Sequence, residues 1–290
     1  MLGTIVSIGT HFHLSVGDDS LSILEEKRVL RTNPEETMEK IVDFFKNFPV
    51  EAFGIGSFGP IDIDPESDHY GHITSTPKFG WEFYDFVGEL KKHFHLPMAW
   101  TTNANVSALG EYFIHSSENI QSLLYLTLGT GVGGGFIYKG EIFQGISHPE
   151  MGHILIERLA EDSSPSHCPY HENCLEGRVS RAAIQERKNI NFEEISSEDP
   201  IFLQIADYIA QALVDITLVL RPDRIVLGGP LMETDMLLAK IKKAFEKYFN
   251  SYIPIPALDH YIKPWDPKEK PGTIGAYLVA LKALDPDFKI

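Results

Sequence analysis

The chain has 290 residues, of which 43% are hydrophobic and 23% are charged, so it can form one large or two medium domains with sizeable cores. Its formal net charge of −16 would repel nucleic-acid phosphates and anionic lipid, which makes both poor partners. The sequence shows no apolar run that approaches a membrane span and no signal peptide, and its two cysteines exclude a disulfide framework. We therefore expect a cytoplasmic protein without nucleic-acid or membrane partners.

The first part of the chain has the pattern of strands with interspersed helices. A break at Gly9-Thr10 separates the first two predicted strands. In chain order the elements predicted here are two strands within 4–16, a strand within 21–32, a helix at 34–48, a buried strand at 52–58, a strand at 98–101 and a helix from Asn103 to about 113. This order predicts a mixed sheet that is covered by helices.

A second strand–turn–strand pattern begins at Ser122 and resembles the one that begins at Thr4. The elements predicted in this part are a strand at 122–128, a strand through 138, a helix at 201–220, a strand at 224–227, a helix at 231–249 and a helix at about 273–284. We expect two similar α/β domains. One comprises residues 1–115 with the C-terminal helix at about 272–290, and the other comprises residues 116–271.

The most specific motif lies at residues 168–174, where Cys168, His171 and Cys174 follow one another at three-residue spacing. Such ligands can close on one ion, and zinc prefers four of them in a tetrahedron. We predict that His153 is the fourth ligand. Because protein atoms would then fill all four positions, the zinc would be structural. The alternative interpretation is two unrelated buried cysteines or a single disulfide.

A run of glycines, Gly129-Thr130-Gly131-Val132-Gly133-Gly134-Gly135, follows the strand at 122–128. Glycines let the backbone approach an anion and turn its N–H groups toward it. The run is not a Walker A loop, and a predicted strand rather than a helix follows it, which argues against a dinucleotide fingerprint. A plain hairpin turn is the alternative.

The loops at 57–60 and 76–81 also follow buried strands, where either binding residues or ordinary turns are found.

Together these segments resemble the ROK family of bacterial sugar kinases, and specifically its zinc-containing fructokinases. The resemblance covers nearly the whole chain. It rests on Ser57-Phe58-Gly59-Pro60, Thr76-Pro77-Lys78 with Gly80-Trp81, Asn105 with Ala108-Leu109-Gly110-Glu111, the glycine run, His148-Pro149-Glu150 with Gly152-His153, the cysteine motif with Leu175-Glu176-Gly177, and Leu227-Gly228-Gly229.

The resemblance implies an actin-like ATPase (ribonuclease H-like) fold, in which two α/β domains enclose an interdomain cleft, and it implies a homodimer. It also implies binding of a hexose and of ATP with magnesium. The implied nucleotide-binding residues are Gly9, Thr10, Gly129, Thr130, Gly131, Gly133, Gly228 and Gly229. The implied sugar-binding residues are Gly59, Asn103, Glu150, His153 and Glu176.

Two regions depart from the pattern of the active family members. Their first turn has an acid, one variable residue and then Gly-Gly-Thr-Lys, whereas this chain has Val6, Ile8 and His11 in place of the acid, the first glycine and the lysine. A β-branched residue does not readily adopt a positive φ. The family's aspartate, which accepts the proton of the sugar hydroxyl, is matched by Asn103. An amide cannot accept that proton, although Asn103 can cap the following helix.

Two functions follow from the resemblance and its departures. The first is ATP-dependent phosphorylation of a hexose at its primary hydroxyl, with fructose as the closest likeness. The alternative is a catalytically impaired relative that binds a sugar without turning it over, because losing a general base costs about 10²–10⁴ in rate. A nucleic-acid-binding regulator is disfavoured by the charge of −16 and because no DNA-binding segment precedes the first predicted strand.

Overall fold

The computed structural model describes residues 1–290 and contains two five-stranded sheets and nine α-helices. The strands are β1 Leu2–Ile8, β2 His11–Gly17, β3 Ile23–Leu30, β4 Ala52–Ser57, β5 Met98–Thr102, β6 Ser122–Leu128, β7 Val132–Tyr138, β8 Glu141–Ile142, β9 Arg224–Gly228 and β10 Ile262–Pro264. The helices are α1 Pro34–Phe45, α2 Phe86–Lys91, α3 Asn103–Ile114, α4 Leu175–Val179, α5 Arg181–Lys188, α6 Ile201–Leu220, α7 Leu237–Phe249, α8 Leu258–Tyr261 and α9 Pro271–Leu284.

The first sheet has the strand order β3-β2-β1-β4-β5 and mixes two kinds of pairing. β1, β2 and β3 form antiparallel pairs, whereas β1, β4 and β5 run parallel to one another. Val6 of β1 pairs with Gly56 of β4, and Gly56 pairs with Thr101 of β5. The carboxyl ends of the three parallel strands therefore lie together at one edge, where ligands usually bind in such sheets.

Helices cover both faces of this sheet. On one face α1 and α2 enclose an aromatic-rich core that includes Ile5, Phe45 and Phe86. On the other face lie α3 and α9, and the backbone of α9 approaches the backbone of β4 closely. A Cβ on Gly54 would lie 1.8 Å from the Ala276 carbonyl oxygen, so only glycine allows this approach.

The second sheet has the strand order β10-β9-β6-β7-β8, and β10, β9 and β6 run parallel. Helix α6 is long and apolar enough by length and composition to cross a membrane. Half of its apolar window is buried inside the protein, which is typical of the core helix of a soluble protein.

The chain divides into two compact units. One comprises Met1–Asn119, Gly135–Pro149 and Pro267–Ile290, and the other comprises Ile120–Gly134 and Glu150–Asp266. The domain bounds expected from the sequence stay a prediction.

Two of the predicted elements differ in the structure. The glycine run is not one loop, because Gly133, Gly134 and Gly135 belong to β7. A Cβ on Gly134 would lie 2.6 Å from the Met151 sulfur, so this glycine serves close packing. Helix α7 begins at Leu237 rather than at Leu231, because residues 230–233 form a 3₁₀ turn.

Candidate functional site

In the first unit the carboxyl edge of β1, β4 and β5 carries four of the predicted site residues. Gly9 and Thr10 form the exposed turn after β1, Gly59 follows β4, and Asn103 is the first residue of α3 after β5. Gly9 has φ +58°, and no atom lies within 4 Å of the position that a Cβ would take. The turn therefore needs glycine at this position and is open on that side.

Asn103 is half-buried and uses both ends of its amide. Its Nδ2 donates to the backbone carbonyl of Ser7 at 2.9 Å, and its Oδ1 accepts from the Ala104 backbone N–H at 3.0 Å. The helix cap comes instead from Thr102, whose hydroxyl accepts from the Asn105 N–H at 3.1 Å. The predicted capping role of Asn103 is thus filled by its neighbour.

The residues at this edge do not fit a magnesium ion. Val6 is fully buried, and a Cβ on Gly272 would lie 3.4 Å from its methyl group, so Val6 faces the start of α9. Ile8 is partly exposed at the end of β1. The segments 6–11, 57–60 and 102–105 contain no aspartate or glutamate. Magnesium prefers carboxylate and phosphate oxygens, and this edge supplies no carboxylate.

The loop after β4 is held by contacts that the sequence motifs did not reveal. The Phe58 ring lies 4.6 Å from the Arg31 guanidinium and 4.5 Å from the Lys78 ammonium. His148 Nε2 accepts from the Ile61 N–H at 3.2 Å, and burial lowers the pKa of His148, which keeps the ring neutral and able to accept. Arg31 and His148 could not have been assigned from spacing, because their partners are distant in the sequence.

In the second unit the turns after β6 and β9 lie side by side. A Cβ on Gly129 would lie 3.2 Å from the Pro230 ring. Gly229 has φ +89°, and a Cβ there would lie 2.5 Å from the Leu128 carbonyl oxygen. Thr130 and Gly131 are exposed at the tip of the first turn. Gly228 ends β9, whereas Gly133 lies within β7 and outside the turn.

Glu176, at the start of α4, connects the first of these turns with the metal-ligand cluster. Its Oε2 accepts from the Val132 N–H at 2.8 Å, and its Oε1 lies 3.9 Å from His153 Nε2. A Cβ on Gly131 would lie 2.6 Å from the same Oε2, so a larger residue in the turn would displace the carboxylate. Glu150, which is exposed, opens the 3₁₀ turn that carries His153.

The structure brings the four predicted metal ligands together. The ligand atoms of His153, Cys168, His171 and Cys174 all lie within 4.8 Å of one another. Cys168 Sγ is 3.7 Å from His153 Nδ1 and 3.6 Å from His171 Nδ1. Sulfur and nitrogen ligands at zinc bond lengths and tetrahedral angles would be about 3.6 Å apart, so this donor set fits zinc. Both cysteines are free thiols, and burial raises the pKa of the Cys174 thiol to about 11.

Comparison with known proteins gives consistent results across nearly the whole chain. The chain is 41% identical to a fructokinase from Pediococcus pentosaceus over 284 residues, which are 98% of this chain and 99% of that protein. It is 41% identical to a fructokinase from Lactococcus lactis subsp. cremoris, with 96% of each covered. The solved ROK hexokinase from Thermus thermophilus is 22% identical and has a TM-score of 0.79, covering 98% of this chain and 99% of that one.

The two five-stranded sheets and the likeness to that hexokinase show that the protein has the actin-like ATPase fold. This confirms the fold predicted from the sequence. The ROK family model matches residues 5–283. The chain therefore belongs to the ROK family, which confirms the resemblance inferred from its motifs.

Proposed function

We propose that this protein binds a hexose and phosphorylates it with ATP, with fructose as the first candidate substrate. The observation that carries the proposal is the carboxyl edge of β1, β4 and β5, where Gly9, Gly59 and Asn103 lie together in a ROK-family chain. Relatives about 40% identical over nearly their full length are fructokinases, which supports fructose over other hexoses.

In this proposal the sugar contacts Gly59, Asn103, Glu150, His153 and Glu176. The nucleotide contacts Gly9 and Thr10 in the first unit and Gly129, Thr130, Gly131, Gly228 and Gly229 in the second. Gly133 is not included, because its place within β7 separates it from the turn. In phosphoryl transfer the protein mainly positions groups and neutralises charge, which suits a site made largely of backbone donors.

A structural zinc is part of the same proposal, with His153, Cys168, His171 and Cys174 as ligands. Bound zinc would fix the loop at 168–174 by closing a tetrahedron of protein atoms. Two neighbouring side chains orient the His153 ring for this role. Its Nδ1 faces Cys168, and its Nε2 faces the Glu176 carboxylate. Carboxylates that face a ligating histidine in this way usually fix the ring orientation.

A second candidate function is sugar binding with little or no turnover. The Asn103 amide donates to the Ser7 carbonyl, and Val6 is buried beside it, so the edge offers neither a base nor a metal-binding acid. An amide oxygen is too weak a base to take the hydroxyl proton. Both candidates share the hexose pocket and differ only in catalysis. The homodimer and the cytoplasmic location remain predictions.

One pair of measurements distinguishes the candidates. We expect calorimetry to detect fructose binding, and a coupled assay to detect ADP release far below about 10 s⁻¹, the median for enzymes. Glucose and mannose serve as matched hexose controls in both measurements. A rate near the median supports the kinase and refutes the impaired-site view. Binding without ADP release supports the second candidate, and the absence of binding by any hexose contradicts both.

A further inference from the structure

His148 is a buried histidine without a role in the proposed binding of hexose or nucleotide. It lies in the segment 143–150 that follows β8, and its side chain contacts the loop that follows β4. Its Nε2 accepts from the Ile61 N–H at 3.2 Å, and both residues are buried. Because the two residues are 87 positions apart in the sequence, this hydrogen bond joins two distant segments of the first unit.

The peptide group between Pro60 and Ile61 is bonded at both of its polar atoms. Its carbonyl oxygen accepts a backbone N–H of the segment 72–74 at 2.9 Å, and its N–H donates to His148. The second backbone bond between the two segments starts from the Asp62 N–H, so the Ile61 N–H takes no part in them. A buried N–H needs a hydrogen-bond partner, and His148 is the side chain that supplies one.

The orientation of this peptide group affects the position of Gly59. Gly59 is the residue of the loop that we propose to contact the hexose, and Pro60 alone separates it from the peptide group. The ring of Pro60 fixes its φ, so little rotation is possible between the two. On the other side, the Asp62 carbonyl accepts from the Trp100 indole N–H at 2.9 Å, which attaches the loop to β5. Loss of the bond to His148 would therefore loosen the half of the loop that contains Gly59.

The hydrogen bond from Ile61 requires a neutral imidazole ring. A protonated ring carries an N–H on both nitrogens and can only donate, so two donors would then face each other. The ring also bonds to the backbone of Pro149, which has no N–H and can offer only its carbonyl oxygen as an acceptor. Burial lowers the pKa of His148, and no charged side chain contributes to the shift. The ring is consequently neutral at neutral pH and is protonated only in acid.

We propose that His148 is a positioning residue of the hexose site, which keeps Gly59 in its binding position only while the imidazole ring is neutral. In this role His148 acts through the loop after β4 rather than by touching the sugar. The inference rests on the proposed function, because the loop matters only if a hexose binds against Gly59. It requires an acceptor at the reach of Nε2, and it requires hexose affinity to fall as acid protonates the ring.

Two amide variants of the full-length protein test the need for this acceptor. In His148→Gln the amide oxygen can reach the position of Nε2, whereas in His148→Asn the shorter side chain ends near the position of Nδ1. We expect calorimetry at about pH 7.5 to give a fructose Kd within about 3-fold of the unaltered protein for His148→Gln, and a Kd ~10-fold or more higher for His148→Asn, which leaves the buried Ile61 N–H without a partner. Equal affinities for the two variants would overturn the inference.

The pH dependence of binding tests whether protonation of His148 is responsible. For the unaltered protein we expect the fructose Kd to rise about 3-fold or more between about pH 7.5 and about pH 5. His148→Gln cannot be protonated and should show a smaller rise, although its predicted zinc ligands are the same. His93→Gln is the matched control, because His93 is exposed after α2 in the same unit, and it should keep the full rise. An equal rise in the unaltered protein and in His148→Gln would overturn the inference.

Failure of the inference and failure of the proposed function give different results. If fructose does not bind to the unaltered protein at neutral pH, both fail. If fructose binds with an affinity that neither amide variant changes, only the inference fails. Should His148→Asn not fold, the pH comparison decides, because it needs only the unaltered protein and His148→Gln.

Discussion

Asn103 is held by hydrogen bonds that need an amide. Its Nδ2 donates to the Ser7 carbonyl oxygen, and an aspartate has no such donor. A carboxylate in the same position would place a negative oxygen beside that carbonyl oxygen. The neighbouring Val6 is buried and apolar and would not stabilise the new charge. The surroundings of Asn103 thus favour a neutral side chain.

We therefore expect Asn103→Asp to lower the free energy of unfolding and to restore little activity. Leaving a buried acceptor unsatisfied costs about 1–3 kcal/mol. A regained general base is worth about 10²–10⁴ in rate, but Val6 and Ile8 would still leave the first turn without an acid and with one glycine fewer. Urea denaturation and kcat/KM for fructose measure the two effects.

Two further variants serve as controls for this prediction. Asn103→Ala removes both side-chain hydrogen bonds without adding charge, so a larger loss of stability in Asn103→Asp than in Asn103→Ala would indicate repulsion by the carboxylate. Asn103→Asp combined with Val6→Glu and Ile8→Gly should be more active than the single change, provided that it folds. A rate near 10 s⁻¹ for the single change would contradict the view that the first turn is impaired.

The role of a residue could be predicted from the sequence when its partners lie close to it along the chain. Cys168, His171 and Cys174 fall within seven residues, so their spacing alone indicated a metal site. The contact of Arg31 with Gly9 joins residues 22 apart, and that of His148 with Ile61 joins residues 87 apart. Such contacts arise only when the sheet forms, and no local pattern records them.

At the scale of elements, helix α4 and the loop that carries the metal ligands are joined by one buried side chain. Arg178 donates from Nη1 to the Ser164 carbonyl at 2.7 Å, and from Nη2 to the Glu172 carbonyl at 2.9 Å and to Asn173 Oδ1 at 2.7 Å. These acceptors lie on both sides of Cys168. Arg178 thus closes the loop by contacts that do not involve a metal.

The charge of Arg178 is balanced by Asp162. The Asp162 Oδ2 lies 3.4 Å from both Arg178 and Arg187, whose side chains are buried, and accepts from the Tyr208 hydroxyl at 2.7 Å. Burial raises the pKa of Asp162. The hydrogen bond from Tyr208 and the other polar contacts lower it by more, so that the pKa of Asp162 lies below its usual value. One carboxylate therefore compensates two guanidinium groups.

We expect Asp162→Asn to destabilise the protein strongly, because it leaves two buried guanidinium groups without an acid. Breaking a buried ion pair in this way typically costs about 3–5 kcal/mol. Since the pKa of Asp162 is depressed, its stabilisation is present at neutral pH and is lost as the pH falls through the depressed value. Urea denaturation at pH 7 measures the loss. Asp43→Asn, which breaks an exposed pair with Lys46, should leave the midpoint unchanged, and equal midpoints for the two variants would refute the prediction.

Elements with a continuous apolar pattern were predicted well from the sequence, whereas two short helices without one were missed. The predicted bounds of β6 and α6 coincide with the structure, because both contain long apolar patterns. Helices α4 and α5 have five and eight residues and were missed. They are specified largely by caps, in which Cys174 accepts from the Gly177 N–H and Ser180 accepts from the Ala183 N–H.

For the whole molecule, net charge is a poor guide to the chemistry of one site. The formal charge of −16 argues against polyanionic partners, yet Arg31 lies without an acid at the edge of a sheet. The fold was predictable because the family motifs are spread along the chain. The order of the strands in each sheet could not be predicted. For example, β1 pairs with β4, although β2, β3 and α1 lie between them in the sequence.

The proposed zinc site leads to a prediction for the stability of the whole chain. We expect elemental analysis to find one zinc per chain and chelation to lower the midpoint of thermal unfolding. A ligand at 100 times its Kd stabilises the folded state by about 2.7 kcal/mol. At roughly 2–4 °C per kcal/mol for a chain of this size class, the midpoint should fall by roughly 5–10 °C.

Variants of two histidines test whether this shift comes from the predicted ligands. His171→Gln removes a ligand and should reduce both the zinc content and the response to chelator. His167→Gln is the matched control, because His167 lies outside the ligand set and its ring contacts the Glu186 carboxylate instead. That variant should keep its zinc and the full shift. Zinc-free protein from a zinc-supplemented culture, or a disulfide between Cys168 and Cys174 under reducing conditions, would refute the site. If both variants responded equally to chelator, zinc would bind elsewhere, because His171 belongs to the predicted ligand set and His167 does not.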